Sequence, residues 1–380
     1  MLDKRRTFIK RSAAMAAGVS LSGIPLRSTT PRHEPNPMTD LTSMVKDAGI
    51  QLSLAYFWGI ETWKVALAKQ MDVLGAVGGI NPGMVGMRGE KNYDLQVIKA
   101  VKEAWEKQGL HLTVIEGPPS LYSKTKLGLK GRDEEIENFV NFLHNIGSLG
   151  IDTVCHNWMP VISWTRTNKE KLGRGGALVS AFDYTDIQNE PLITEYGELK
   201  HDKMWDNMEY FLKAVIPEAE KAGVKLALHP DDPPVDGIRG IPRIMTSVEA
   251  FKKMLDLYPS PNNGITFCQG SFASMGGEGE DVDIPAAIEY FGKREAIHFV
   301  HFRDVRGHKN QFEETFHDEG KTDMYKAMEA YYKIGFKGPM RPDHVPTMAN
   351  DSNEHPGYST IGALFAIGYM RGLIEGVSQA

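Results

Sequence analysis

Cysteine is scarce: two residues in 380, too few for a disulfide scaffold. No uninterrupted apolar run reaches about 18 residues, so no membrane-spanning helix is expected. No basic run supplies the positive face that a nucleic-acid partner requires. No glycine-rich phosphate loop follows the first strand-like segment; Gly75, Gly78 and Gly79 come after the second and have the wrong spacing. This disfavours an open doubly wound sheet. With 41% hydrophobic and 24% charged residues the chain is not a mostly disordered one.

The first residues read as an address. Arg5 and Arg6 open a basic segment that ends at Lys10, and a mild Ala- and Gly-rich stretch follows from Ser12 to Pro25. A polar segment from Arg27 to Pro37 then carries Pro31, Pro35 and Pro37. A basic start, a short apolar segment and a linker are the pattern of an export signal, and the arginine pair makes it a twin-arginine one. Residues 1–33 are therefore assigned to signal peptide and linker, with a periplasmic or otherwise exported destination. Residues 34–380 are assigned to one catalytic domain. Residues 1–33 hold seven Lys or Arg and one acid, so residues 34–380 hold 36 basic and 48 acidic residues, net −12.

Beyond the leader, short segments rich in Val, Ile, Leu, Thr and Phe alternate with helical periodicity. Strands are expected at Ile50–Phe57, Asp72–Val77, Leu110–Glu116, Thr153–His156, Lys225–His229, Gly264–Cys268, His298–Arg303 and Gly338–Asp343. Helices are expected at Glu61–Lys69, Tyr93–Lys107, Asp133–Leu149, Met204–Ala222, Ser247–Leu257, Ile284–Phe291, Met324–Ile334 and Thr360–Ile374. Gly109 and Gly223 stand where helices end in a left-handed residue, and Ser247 stands where an N-cap is wanted. Trp205, Met208, Phe211, Leu212 and Val215 fall at helical spacing and read as core. Strand then helix, eight times, predicts an α/β fold of the (β/α)8 TIM-barrel type. The one long connection, Asn157–Lys203 after the fourth strand, reads as a functional loop or lid.

In such a barrel the chemistry sits where strands end. The fifth to eighth strands end at or near His229, Cys268, His301 and Asp343, one strand-helix unit apart. All four are metal-ligand types, and a thiolate among them favours zinc or iron by softness. Each alone has a blander reading, as a hydrogen-bonded core histidine or a small buried thiol. Together on consecutive strand ends they read as a metal site. His344 and Tyr358 are residue types suited to acid-base work beside a metal-held substrate. Arg166, Trp164 and Arg303 are candidate substrate contacts, the arginines as carboxylate clamps. Asp231 and Asp232 are either partners that fix His229 or turn residues before Pro233 and Pro234. Cys155, inside a strand, reads as a core thiol.

Seven collinear motifs cover about three fifths of the chain: NWMPVISWTRT (Asn157–Thr167), HPDDPP (His229–Pro234), GIPRI (Gly240–Ile244), TFCQGS (Thr266–Ser271), HFRD (His301–Asp304), MRPDH (Met340–His344) and HPGYS (His355–Ser359). In these the sequence resembles the mannonate dehydratases. The resemblance implies a metal-dependent hydro-lyase that converts D-mannonate to 2-keto-3-deoxy-D-gluconate in hexuronate degradation. It implies metal ligands His229, Cys268, His301 and Asp343, and an acid-base pair His344 and Tyr358 whose roles stay open. The implied metal is manganese, Mn2+, against the Fe2+ or Zn2+ that softness favours. The implied partner is a small sugar acid, with no nucleic acid, no membrane once the signal is removed, and homo-oligomerisation left open.

The chain departs from the family pattern at His156, Trp158 and Ser163, in a glycine- and acid-rich insert around Ser274–Asp281, and in a shortened Asp318–Thr322. Two rivals follow. One is a related barrel isomerase, epimerase or lyase acting on another sugar acid or glycoside; two strand-end glutamates would be expected, and only Glu116 ends a strand. The other is an exported binding protein without turnover, which the presence of both His344 and Tyr358 disfavours.

Overall fold

The computed structural model of the chain describes residues 48–380. The leader reading at residues 1–33 lies outside these. Eight parallel strands close a barrel: β1 (Gln51–Ala55), β2 (Gly75–Gly78), β3 (His111–Glu116), β4 (Thr153–Asn157), β7 (Lys225–His229), β10 (Asn263–Cys268), β11 (Ile297–Phe302) and β14 (Pro339–Pro342). Closure comes from β1 pairing with both β2 and β14. All eight coincide with expected strands to within three residues at either end. The eight expected helices are present as well, joined by short additional ones at Ser123–Leu127 and Gln269–Ser274.

The local signals act as read. Ser247 accepts the amide of Ala250 and caps Val248–Leu257. Gly109 and Gly223 adopt φ +77° and +68° after their helices, a conformation in which a Cβ is penalised. Of the five core residues proposed in helix His201–Ala222, four are buried; Trp205 is only partly so and lies under the Lys253 ammonium, 3.9 Å from the ring centre. The last helix, Thr360–Gln379, is long and apolar enough by composition to cross a membrane. Here it completes the barrel, burying Ala363, Ala366, Ile367, Met370, Ile374 and Val377.

The long connection after β4 is not structureless. It contains β5 (Asn168–Leu172) and β6 (Leu178–Asp183). These pair antiparallel with the hairpin β12 (Val305–His308) and β13 (Gln311–Glu314) that follows β11, in the order β12-β13-β6-β5. A short hairpin, β8 (Gly237–Ile238) and β9 (Ile241–Pro242), follows β7. The four-stranded sheet caps the mouth of the barrel. Phe182 and Phe312 pack across it, ring centres 5.8 Å apart, and Leu178 exchanges backbone hydrogen bonds with Thr347 beyond β14. The sequence pattern missed these strands because β5 is fully exposed, so its alternation carries no apolar face.

Inside the barrel, Val77, Val114, Cys155, Ala227 and Phe299 form one packed layer. Strand side chains alternate faces, so the residues two positions further along point inward again, one layer nearer the mouth. Those residues are Glu116, Asn157, His229 and His301; Cys268 stands in the same relation to Thr266, whose hydroxyl donates to the Cys155 sulfur at 3.1 Å. The apolar layer is the floor of the site, and the polar layer is the site.

Three buried histidines make stability pH-dependent. Burial pulls the imidazoles of His156, His298 and His317 down from 6.5 to about 3, 4 and 4. The folded pKa lies below the unfolded one, so the unfolded chain binds more protons in between. Stability is therefore full above about pH 7 and falls as pH drops from about 6.5 towards 4. Each neutral histidine costs on the order of 2 kcal/mol at pH 5. Urea unfolding at pH 7.5 and pH 5 should show this loss, and His298→Asn, whose Nδ2 can take the place of Nδ1 on the Leu226 carbonyl, should flatten it.

Candidate active site

A cavity of about 440 Å³ opens at the carboxyl ends of the strands. Its wall includes Glu116, Asn157, Trp164, His229, His301, Arg341, Asp343, His344 and Tyr358. Strand register sets the neighbours: Asn157 beside His229, Cys268 beside His301, His301 beside Arg341.

His229, Cys268 and His301 each bring a ligand atom within 4.8 Å of the others'. His229 Nε2 lies 3.2 Å from His301 Nδ1, and Asp343 Oδ2 lies 3.6 Å from that nitrogen and 3.7 Å from the Cys268 sulfur. The outer partners fix the tautomers. His229 Nδ1 donates to the Pro230 carbonyl at 2.7 Å, so its Nε2 carries a lone pair. His301 Nε2 is buried and lacks an aligned partner, with Glu116 Oε2 at 3.4 Å. A proton placed there faces a carboxylate and leaves His301 Nδ1 as a second lone pair, directed at the first. Two imidazole lone pairs, a sulfur and a carboxylate meeting in a buried space repel one another without a cation between them. The donor set fits a divalent metal ion.

The surrounding charges agree. Three buried guanidinium groups, Arg166, Arg303 and Arg341, face four carboxylates, Glu116, Asp232, Glu314 and Asp343. An unpaired carboxylate or thiolate in such a buried space costs several kcal/mol, and a divalent ion would offset that cost. Burial opposes ionisation of Asp343, but His344, Arg341, His301 and Arg303 outweigh it and hold its pKa well below the ordinary carboxylate value. Burial likewise opposes Glu116, and Arg341 and His301 overcome it, bringing it down to about 2.

His344 and Asp343 are adjacent in sequence, yet both line the cavity. The chain manages this by leaving β14 with His344 at φ +42°, a left-handed conformation that is uncommon for a residue with a Cβ. His344 Nδ1 lies 3.1 Å from Glu314 Oε1. Tyr358 sits on the loop before the last helix, its hydroxyl 3.5 Å from Asp343 Oδ1 and its ring edge-on to His344. Burial, then the Asp343 charge, pushes the Tyr358 phenol well above its ordinary pKa.

The structure places several expected residues differently. Arg166 and Arg303 are not in the cavity wall. Arg166 donates to Asp232 at 2.6 and 2.9 Å and to Glu314 at 2.6 Å. Arg303 donates to Glu314 at 2.6 and 2.8 Å and to Asp232 at 2.8 Å, with its Nε 2.9 Å from Asp343. Both are buried cross-braces between the barrel rim and the cap sheet, their terminal nitrogens given to carboxylates of the protein itself. Asp231 and Asp232 do not hold His229: Asp232 joins these arginines, and Asp231 accepts the Met245 amide. Trp164 does line the cavity, and its indole N–H is buried without a partner. Cys155 is buried in the floor, where burial and Glu116 raise its thiol well above the ordinary range. Two residues escaped the sequence reading as parts of this site. Arg341 holds Asp343 at 2.7 Å and Glu116 at 3.0 and 3.2 Å. Glu314, on the unrecognised strand β13, ties Arg166, Arg303 and His344 together.

Fold and donor set together define a parallel-barrel enzyme with a metal-type centre at the mouth of the barrel. Comparison with known proteins gives the family. The model of the D-mannonate dehydratase family (UxuA) matches residues 51–194 and 188–380, and the chain belongs to that family. It is 36% identical to mannonate dehydratase 2 of Halalkalibacterium halodurans, over 87% of this chain and 100% of the relative. It is 36% identical to the mannonate dehydratase of Streptococcus equi subsp. zooepidemicus, over 76% and 84% of the two chains. The solved mannonate dehydratase of Streptococcus suis serotype 2 superposes with TM-score 0.79 at 35% identity, over 87% of this chain and 94% of that one. A D-tagatose 3-epimerase-like protein superposes with TM-score 0.52 at 15% identity, which shows a shared barrel only.

Proposed function

We propose that this protein dehydrates D-mannonate to 2-keto-3-deoxy-D-gluconate, as its family does, with His229, Cys268, His301 and Asp343 holding a divalent metal. The observation that carries the reading is the meeting of that donor set with His344 and Tyr358 at one cavity. We take the metal to be manganese, as the family resemblance implies, in place of the Fe2+ or Zn2+ that the thiolate would favour. When bound, the ion draws negative charge toward itself and so eases loss of the proton next to the substrate carboxylate.

The chain's own groups divide the proton transfers. Glu314 accepts a hydrogen bond from His344 Nδ1, leaving Nε2 available to the cavity as the base that removes the C2 proton. Tyr358, kept protonated by burial and by Asp343, donates its proton to the departing C3 hydroxyl, which leaves as water. The resulting enol tautomerises to the 2-keto acid. The cap sheet and Trp164 screen the reaction from solvent.

Isotope labelling tests this. Turnover in D2O should give a product one water lighter than the substrate, with one deuteron at C3 from tautomerisation of the enol. An isomerase or epimerase retains the water, and that outcome contradicts the proposal.

We also propose that the Arg5–Arg6 leader directs export. Residues 1–40 fused to a reporter that is active only outside the cytoplasm should give signal, and replacing Arg5 and Arg6 by Lys should abolish it. A reporter that stays silent with the intact leader sinks the idea.

A further inference from the structure

The two arginines expected to hold the substrate carboxylate, Arg166 and Arg303, each meet at least two carboxylates of the protein itself, and so does Arg341 in the cavity wall. A donor for the acid end of the substrate is therefore sought elsewhere in the wall.

Asn157 ends β4 beside His229 and lines the cavity. Its Oδ1 is held from behind by two donors, the Met159 amide at 3.0 Å and the Lys126 ammonium at 3.0 Å. Lys126 is buried in the loop helix Ser123–Leu127, and its ammonium also lies 3.5 Å from the Met159 carbonyl. Burial pulls Lys126 down to about 8, which still leaves it charged at neutral pH. A backbone N–H and an ammonium can only donate, so the amide oxygen must face them. The orientation of the Asn157 amide is thus set by its partners. Its Nδ2 is left with no partner among the described residues, and it is not among the enclosed polar atoms. Two N–H donors therefore face the cavity next to a ligand position.

We propose that the Asn157 side-chain amide receives the carboxylate of the substrate, and that Lys126 is the positioning residue that locks the amide in its donating orientation. The inference rests on the sugar-acid reading above. Lys126 does not touch the substrate; it acts through Asn157.

Asn157→Asp is the direct test. It keeps an oxygen facing Lys126 and Met159, so the local fold is retained, but it replaces the free donor by an acceptor. Calorimetric titration of manganese-loaded protein with D-mannonate and D-gluconate, together with steady-state kinetics, gives the readout. Asn157→Asp should raise the Kd and KM for the acid at least 100-fold, with kcat within threefold of wild type and manganese content unchanged. Asn157→Ala, which removes the donor without adding charge, should raise KM about tenfold. Lys126→Met should raise KM between five- and twentyfold, a change that a merely structural lysine would not produce. Wild-type Kd and KM in Asn157→Asp would overturn the proposal. A lower melting temperature in Lys126→Met with KM unchanged would overturn the role of Lys126. A wild-type protein that binds neither acid would overturn the sugar-acid reading and this subsite together.

Discussion

Tyr358→Phe is expected to lower kcat at least a thousandfold, with KM and metal content close to wild type. General acids contribute roughly 10²- to 10⁴-fold, and loss of hydroxide from an unactivated C3 is the step that most needs one. The substitution removes one oxygen. That oxygen makes a single long contact, 3.5 Å to Asp343 Oδ1, so the fold and the metal ligands lose little. The ring keeps its packing against Phe57 and His344. Stopped-flow mixing would show the same substrate binding and a suppressed chemical step. Equal kcat in the variant would remove Tyr358 from the mechanism and leave the C3 hydroxyl to another donor.

The second large effect is expected at Asp343. Asp343→Asn should strip the metal, abolish turnover and destabilise the fold. Asp343 carries three kinds of contact at once: with the ligand atoms of His301 and Cys268, with Arg341 at 2.7 Å and with Arg303 at 2.9 Å. Removing one partner of a buried ion pair costs about 3–5 kcal/mol. The lower end applies here, because Arg341 keeps Glu116, and Arg303 keeps Glu314 and Asp232. Chemical denaturation of the metal-free protein isolates this loss from the loss of metal. Metal analysis on the same preparation measures the other part. A variant that retains stoichiometric metal would exclude Asp343 from the ligand set.

The barrel was legible because its strands are short apolar runs at regular intervals, and periodicity reports buried strands well. The meeting of His229, Cys268 and His301, with Asp343 beside them, was legible for the same reason. Once strand ends are located, residue types at those ends can be read directly, and four ligand types on consecutive strands stand out. Glu116 was seen as a strand end but not as a partner of His301. Register would have found it, since it lies two residues beyond inward-facing Val114, as Asn157 lies two beyond Cys155. Residue type cannot tell a clamp for substrate from a clamp for the protein's own carboxylates, and in the structure Arg166 and Arg303 hold the latter. What decided the matter was Glu314. It arrives from a hairpin that the sequence pattern did not reveal, and it meets both arginines from within the cap sheet. The cap sheet itself was hidden because an exposed strand such as β5 has no apolar face to signal it.

The most direct test of the account is a paired assay of the purified, manganese-loaded protein and its His229→Ala variant on D-mannonate, scoring the 2-keto-3-deoxy acid alongside bound metal. His229 contributes one lone pair to the centre and no ion pair to the fold, so the variant should fold, lose the metal and lose turnover together. Turnover by the wild type and its loss in the metal-depleted variant is the predicted result. A wild type with stoichiometric metal and no product, or a variant that turns over without metal, would contradict the claim that this centre dehydrates D-mannonate.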